Sequence, residues 1–313
     1  MKPPVVFHIG FHKTASTFIQ KGLFEAYPDC FYRVRQRAIF DHLIFPSDLL
    51  WDQGKARQFI ERERAAAGGG RIVVFSNERL SGGPHFGGHD SLAILKRIRE
   101  LDEEANILVV VREQAAMIRS LYAQFVRAFG MCSLREYVES GYSPHSKELF
   151  DPTFLEYHRI VKEYMESFGA DSVHVLPFEA LVRNKEDFRC RVLDACAVPK
   201  SKWQSLGWAL PKKENARSSA LQVAFLRRLN PLIRASIPHV GATYYSPITS
   251  LMARAVVKVA GSSLFAPLDR RLERRQGEYI HQFVADRYAE SNASLQDLTG
   301  LDLGGLGYRV AGH

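Results

Sequence analysis

VVFHIGFHKTASTFIQ, residues Val5 to Gln20, combines an apolar run, a basic and hydroxyl-rich turn and a helical spacing within sixteen residues. It opens on a short apolar run, Val5-Val6-Phe7 with Ile9-Gly10 behind it, which predicts a buried strand. Phe11-His12-Lys13-Thr14-Ala15-Ser16-Thr17 then forms a turn, and Phe18, Ile19, Leu23 and Phe24 carry the apolar spacing of a helix. A strand that turns tightly into a helix N-terminus makes an anion cradle. The first backbone N–H groups of the helix have no partner inside it, and its dipole favours negative charge there. Lys13 adds a mobile positive charge, and Thr14, Ser16 and Thr17 add hydroxyl donors.

The chain beyond this stretch alternates helices and strands. Lys55 to Ala67 reads as a helix stopped by Gly68-Gly69-Gly70, and Arg71-Ile72-Val73-Val74-Phe75-Ser76 as a second buried strand. A Gly-rich loop, SGGPHFGGHD, leads to a helix over Ser91–Leu101 and a third strand, Asn106 to Val111. That loop is either flexible or tightly folded, and it is placed to border a site. The next helix runs to about Phe129, with Met117, Ile118, Leu121, Tyr122, Phe125, Val126 and Phe129 on one face. Phe154–Phe168 reads as a helix and Ser172-Val173-His174-Val175-Leu176 as a fourth strand. Residues 28–50 read as irregular, and from Glu214 onward the pattern predicts helices and loops only. The expected fold is α/β: a P-loop-like three-layer domain with a central parallel sheet flanked by helices, plus a helical C-terminal extension. The domain is expected to span 1–313 as a single unit of function, with 212–300 its mostly helical basic extension.

Ligands of a parallel sheet bind at the carboxyl ends of its strands, so Gly10–Lys13, Ser76–Glu78 and Arg112 are the residues to compare with known sites. The phosphate-loop pattern G-x-x-x-x-G-K-[ST] is not met, because Lys13 follows His12 and no Gly stands five residues before it. The stretch resembles instead the 5′-phosphosulfate loop of the sulfotransferases, in which a Lys precedes a Gly-Thr-Thr-like triplet; here the triplet is Ala15-Ser16-Thr17, with Ala in place of Gly. VVVREQAAMIRSLY pairs Arg112 with Ser120 and resembles the 3′-phosphate motif of the same family. FSNERL, LPFEALVRN, KKENARSS and SNASLQDLTGLDLGGLGY are similar to further elements of its bacterial carbohydrate-type branch. The resemblance covers most of residues 5–230 and the last 25 or so; residues 231–285 match nothing in it.

This resemblance implies sulfuryl transfer from 3′-phosphoadenosine 5′-phosphosulfate to an acceptor hydroxyl, with adenosine 3′,5′-bisphosphate as product and no metal. It implies that His12, Lys13, Thr14, Ala15, Ser16 and Thr17 hold the 5′ end of the donor and that Arg112 with Ser120 holds the 3′-phosphate. Lys213, Asn215 and Arg217 fall in the late basic loop that closes over the nucleotide. Lys13 is suited to stabilising the leaving oxygen. Glu78, just past the second strand, is the expected general base, with His12, His85 and His89 in reserve. His8, inside the first strand, reads as a hydrogen-bonded core residue. A glycan or glycolipid is the expected acceptor. A kinase-like nucleotide enzyme and a non-catalytic module for acidic glycans or membrane surfaces are the rival classes. The broken phosphate-loop pattern and the lack of a carboxylate partner for a Mg²⁺ at Thr14 speak against the first.

Charge is concentrated in one segment. The chain carries a formal +8, and residues 212–275 hold twelve Lys and Arg against three acids. Ile248, Leu251, Met252, Ala255, Val256 and Val259 form an apolar stripe there, followed by Arg270, Arg271, Arg274 and Arg275. Either the stripe packs on the domain with its cations solvated, or the segment docks an acidic acceptor; a peripheral membrane or polyanion contact through 212–275 is the partner surface to test. No nucleic-acid partner is expected. Cys30, Cys132, Cys190 and Cys196 are scattered without a C-x-x-C pair, no His/Cys cluster has zinc spacing, and no apolar run is long enough to span a bilayer. With the first strand starting at Val5 and no charged-then-apolar leader, the expected location is the cytoplasm, at most peripheral at the inner membrane surface.

Overall fold

The computed structural model describes residues 3–139, 150–209, 218–237, 242–245 and 247–312. The chain divides into two compact units, one of Met1–Glu113, Pro152–Lys213 and Tyr288–His313, the other of Gln114–Asp151 and Glu214–Arg287.

The first unit is built on a five-stranded, all-parallel sheet. Its strands are β1 (Val5–His8), β2 (Phe31–Arg33), β3 (Ile72–Ser76), β4 (Asn106–Val111) and β5 (Val173–Pro177), in the order β2-β3-β1-β4-β5. β1 and β3 are buried along their whole length, as strands covered on both faces must be. Register sets which side chains share a face. Phe7 lies opposite Phe75 and their rings stack at 4.6 Å, with Phe59 of the helix Gln53–Ala67 against the same ring at 5.9 Å. Val6, Val74, Leu108 and Val110 point the other way and join Ile19, Leu23, Phe24, Phe188 and Val192 in one core cluster. Asp52 caps Gln53–Ala67 by accepting the Lys55 amide at 3.0 Å.

Four of the five strands and the helices Gln53–Ala67, Ser91–Leu101 and Tyr157–Phe168 fall where the sequence pattern puts them. The reading of residues 28–50 as irregular is corrected. They contain the edge strand β2, a helical run over Gln36–Ile44 and a 3₁₀ turn at Asp48–Leu50. Three residues of strand are too few to show a two-residue period, and β2 pairs in the sheet with β3 at its edge.

The second unit is mostly helical, with Gln114–Arg127, Leu134–Glu139, Ala220–Ile233, Pro247–Ala260 and Ala266–Val284. Asn230 is fully buried and its Nδ2 donates to the carbonyls of Val126 at 2.8 Å and Gly130 at 2.7 Å, tying its helix to the end of Gln114–Arg127. Asp269 accepts the Leu221 amide at 2.8 Å and so caps a neighbouring helix from outside it. The expectation of helices and loops alone after Glu214 is also corrected. β6 (Arg234–Ile237) and β7 (Ala242–Tyr245) pair as an antiparallel hairpin. RASI and ATYY carry few β-branched residues and no clear alternation, which is why the pattern hides them.

Candidate active site

β1 ends at His8, whose buried Nδ1 lies 2.7 Å from the Ser76 hydroxyl at the end of β3. Gln20 donates its amide to the same hydroxyl at 3.0 Å and to the Ser76 carbonyl at 3.2 Å. Burial, helped by the Arg33 charge, pushes His8 down to about 3, so the ring is neutral. The Ser76 hydroxyl thus accepts from Gln20 and shares a second hydrogen bond with Nδ1. This chain of polar groups locks two strand ends to the start of the first helix.

Past His8 the backbone stays pinned to β4, with Ile9 N donating to Leu108 O and Phe11 N to Val110 O, both at 3.0 Å. A side chain at Gly10 would meet His8 Nε2 at 2.9 Å, so the turn begins where only glycine fits. Lys13 and Ala15 then both take the left-handed conformation, at φ 65° and 64°. Left-handed residues set into a tight turn direct neighbouring N–H groups toward one point, the concave nest that binds anions. Ala15 holds this conformation without being glycine, at a cost of about 1 kcal/mol. Its carbonyl accepts the Phe18 and Ile19 amides at 2.9 and 3.1 Å, which starts the helical run of Ser16–Ile19 continuing through Gln20–Phe24.

The hydroxyls divide by role. Thr14 is fully buried and donates to the Phe11 carbonyl, bracing the turn from inside. The Ser16 hydroxyl is buried with no hydrogen-bond partner among the described residues, and Thr17 is exposed. A buried hydroxyl without a partner at a helix start is an available donor or acceptor.

Arg112, just past β4, donates through Nη1 to the Lys13 carbonyl at 2.9 Å, and its guanidinium lies 4.7 Å from the centre of the Phe178 ring. The Arg112 carbonyl in turn accepts the Tyr157 hydroxyl at 2.7 Å. Next to it the Glu179 carboxylate takes the Glu113 amide at 3.1 Å and the Tyr308 hydroxyl at 2.8 Å. The structure therefore brings Lys13 and Arg112 together directly. Ser120 lies half-buried on the helix Gln114–Arg127 of the second unit. Lys213, Asn215 and Arg217 lie outside the described residues.

Glu78 opens a 3₁₀ turn, Glu78–Ser81, directly after β3, and is half-buried. Arg79 pairs with Asp90 at 2.6 Å, and Glu78 has no ion pair or side-chain hydrogen bond among the described residues. The Asp90 carboxylate also accepts the Gly83 amide at 2.9 Å. Burial would raise Asp90, but the Gly83 amide and the Arg79 guanidinium together hold it below the usual carboxylate range. These bonds fold the Gly-rich loop tightly. Gly88, at φ 65°, sits where a side chain would strike the Phe154 ring at 2.3 Å. His12 and His85 both stand in the field of Arg79. Burial first, then Arg79, pushes His12 down to about 3 and His85 to about 4, so both rings are neutral at physiological pH. His12 Nδ1 is buried and unpartnered among the described residues, and His89 is exposed.

Gln20, Ser76, Asp90, Phe178, Glu179 and Tyr308 support the site and are not singled out as site residues by the sequence pattern. For Phe178 and Glu179 a signal did exist: a polar-aromatic pair immediately after a buried strand stands at the sheet's carboxyl edge. Among the described residues no group of three or more His, Cys, Asp or Glu is placed to hold a metal ion. A cleft of ≈ 620 Å³ on the second unit, lined by Arg119, Arg270, Glu273, Arg274 and His281 among others, includes none of the residues expected in the site.

No protein-family model matches the chain, and no curated protein matches it. Among the solved structures it resembles are three sulfotransferases. One is a sulfotransferase from Alicyclobacillus acidocaldarius, 18% identical, with a TM-score of 0.48 over 69% of this chain and 87% of that one. Another is the sulfotransferase domain from the curacin biosynthetic pathway, 11% identical, with a TM-score of 0.38 over 63% and 75%. A third is the sulfotransferase domain from the Synechococcus PCC 7002 olefin synthase, 15% identical, with a TM-score of 0.36 over 65% and 77%.

Proposed function

We propose that this chain is a sulfotransferase that moves a sulfuryl group from 3′-phosphoadenosine 5′-phosphosulfate to an acceptor hydroxyl. The observation that carries the reading is the nest at Lys13–Ala15, with the Arg112 guanidinium bonded to its Lys13 carbonyl. The Arg112 guanidinium thus stands against the backbone of the turn that carries Lys13, at the carboxyl edge of the sheet. The residues present suit such a donor. The turn offers converging amides, the Ser16 hydroxyl is buried without a partner among the described residues, and the Phe178 ring fixes the plane of Arg112.

In this reading the backbone amides of residues 14–17 and the Lys13 ammonium take up the charge that grows on the leaving phosphate oxygen. Arg112 grips the 3′-phosphate as a bidentate fork. The acceptor oxygen bonds to sulfur as the sulfur–oxygen bond to phosphate breaks. Adenosine 3′,5′-bisphosphate leaves with the electron pair, and the acceptor proton passes to the Glu78 carboxylate. Glu78 is favoured because it stands just past the end of β3, at the carboxyl edge of the sheet. The lack of an ion pair at Glu78 among the described residues supports the same choice. No metal enters these steps. A glycan or glycolipid hydroxyl is the proposed acceptor. Residues 1–313 would serve as one sulfotransferase domain, and the cytoplasm as its location.

The test is a transfer screen with donor labelled in its sulfuryl group over glycan, glycolipid, alcohol and phenol acceptors. Label should move to one hydroxyl class with the wild-type chain and not with Lys13→Ala. Transfer that survives Lys13→Ala in full would overturn the assignment of the loop.

A further inference from the structure

The helix Pro247–Ala260 presents apolar side chains to solvent. Leu251 is 71% exposed and Val259 59%, with Ala255 exposed between them at i, i+4 and i+8. Lys258 stands exposed beside this row. The helix meets its own unit through a different side, where Ala260 is buried and the Val257 carbonyl accepts Gln222 at 3.0 Å. In the turn that follows, Leu264 is 80% exposed. The helix Ala266–Val284 continues with Leu268, 50% exposed, and with Arg271 and Arg275 exposed at i+3 and i+7 from it. Two amphipathic faces thus join at Leu264, each with apolar residues and cations together.

Charge decides what covers them. From Leu251 to Gln276 the sequence has six Lys and Arg and two acids. Both acids are engaged within the unit: Asp269 accepts the Leu221 amide at 2.8 Å, and Glu273 lies 3.9 Å from Arg119. The exposed side chains named above, Leu251, Val259, Leu264 and Leu268 with Lys258, Arg271 and Arg275, are thus apolar and cationic. A second copy of the chain would bring like charges face to face. A soluble polyanion would meet the cations and leave Leu264 in water. An anionic bilayer satisfies both, since leucines enter the acyl boundary while Lys and Arg remain among the headgroups. We propose that this face docks the protein peripherally on anionic lipid. Among the described residues no helix is long and apolar enough to cross a membrane, so the contact is made from one side. The proposal does not depend on the sulfuryl-transfer reading.

The test is co-sedimentation of the full chain with phosphatidylcholine vesicles, with and without one third phosphatidylglycerol. Binding is expected to the anionic vesicles only and to fall with added salt. The double variant Arg271→Glu/Arg275→Glu should lose about 30-fold or more in affinity. Leu264→Ser should lose about tenfold while keeping the salt dependence. All these side chains are exposed, so circular dichroism and the melting temperature should not change. Equal binding to neutral vesicles, or binding to neither, would overturn the proposal. So would wild-type affinity in the double variant, or heparin binding unaffected by Leu264→Ser in a protein that ignores vesicles.

Discussion

Replacing Arg112 by Ala removes interactions of different reach, three of which bear on the proposed site. The bond to the Lys13 carbonyl at 2.9 Å is charge-assisted and supports the nest whether or not a nucleotide is bound. The contact with the Phe178 ring at 4.7 Å contributes about 0.5–1 kcal/mol at a partly exposed site. The proposed grip on a 3′-phosphate adds about 1.5–3 kcal/mol, the usual worth of a hydrogen bond to a charged group, which is roughly 10- to 150-fold in affinity. Only this last contribution depends on the 3′-phosphate. Calorimetric titration of Arg112→Ala with adenosine 3′,5′-bisphosphate and with adenosine 5′-phosphosulfate therefore separates the parts. Loosening of the nest should weaken both nucleotides, by about 1 kcal/mol, the net value of an ordinary hydrogen bond. The bisphosphate should lose the further 10- to 150-fold. Arg112→Lys keeps the charge but not the planar fork, and should recover part of the bisphosphate affinity and little of the nest. Equal losses for the two nucleotides would refute the 3′-phosphate role and leave Arg112 as a brace for the loop.

Glu78→Gln keeps the shape of the side chain and removes the base. Turnover should fall about 10²- to 10⁴-fold with nucleotide affinity unchanged, and a rate near wild type would move the base elsewhere. Ala15→Gly relieves a left-handed alanine and should raise unfolding stability in urea by about 0.5–1 kcal/mol; a lower stability would contradict the strain assigned there. His8 and His12, pushed down to about 3, bind protons in the unfolded chain below about pH 6.5 but not in the fold. Their contribution to stability is thus complete above pH 6.5 and is lost as pH falls toward 3, by up to about 1.4 kcal/mol per pH unit for each. Urea midpoints measured from pH 7 to pH 4 should drop accordingly, His12→Gln should flatten the drop, and a flat wild-type profile would contradict the burial of both rings.

The sheet was legible because its strands are nearly continuous apolar runs, and only strands covered on both faces are written that way. Gly10, Lys13, Arg112 and Glu78 were legible for the same reason, since each stands where such a run stops. What lay hidden depends on partners distant in sequence. The Ser76 hydroxyl between His8 and Gln20, and the Glu179 carboxylate shared by Glu113 and Tyr308, exist only once the strands are side by side. β2, β6 and β7 are short and draw their stability from pairing rather than from pattern. The exposed row of Leu251 and Val259 shows the opposite limit. An apolar stripe at helical spacing reveals a face and does not reveal what covers it.

In the proposed reaction the nest between β1 and the first helix holds a 3′-phosphorylated adenine nucleotide without help from a metal. Titration of the full chain with adenosine 3′,5′-bisphosphate in the presence of EDTA tests it most directly, because it needs no knowledge of the acceptor. Saturable binding at one site per chain, unchanged by Mg²⁺ and weakened in Lys13→Ala, is the predicted result. Binding of ATP–Mg²⁺ with no response to the bisphosphate would contradict it.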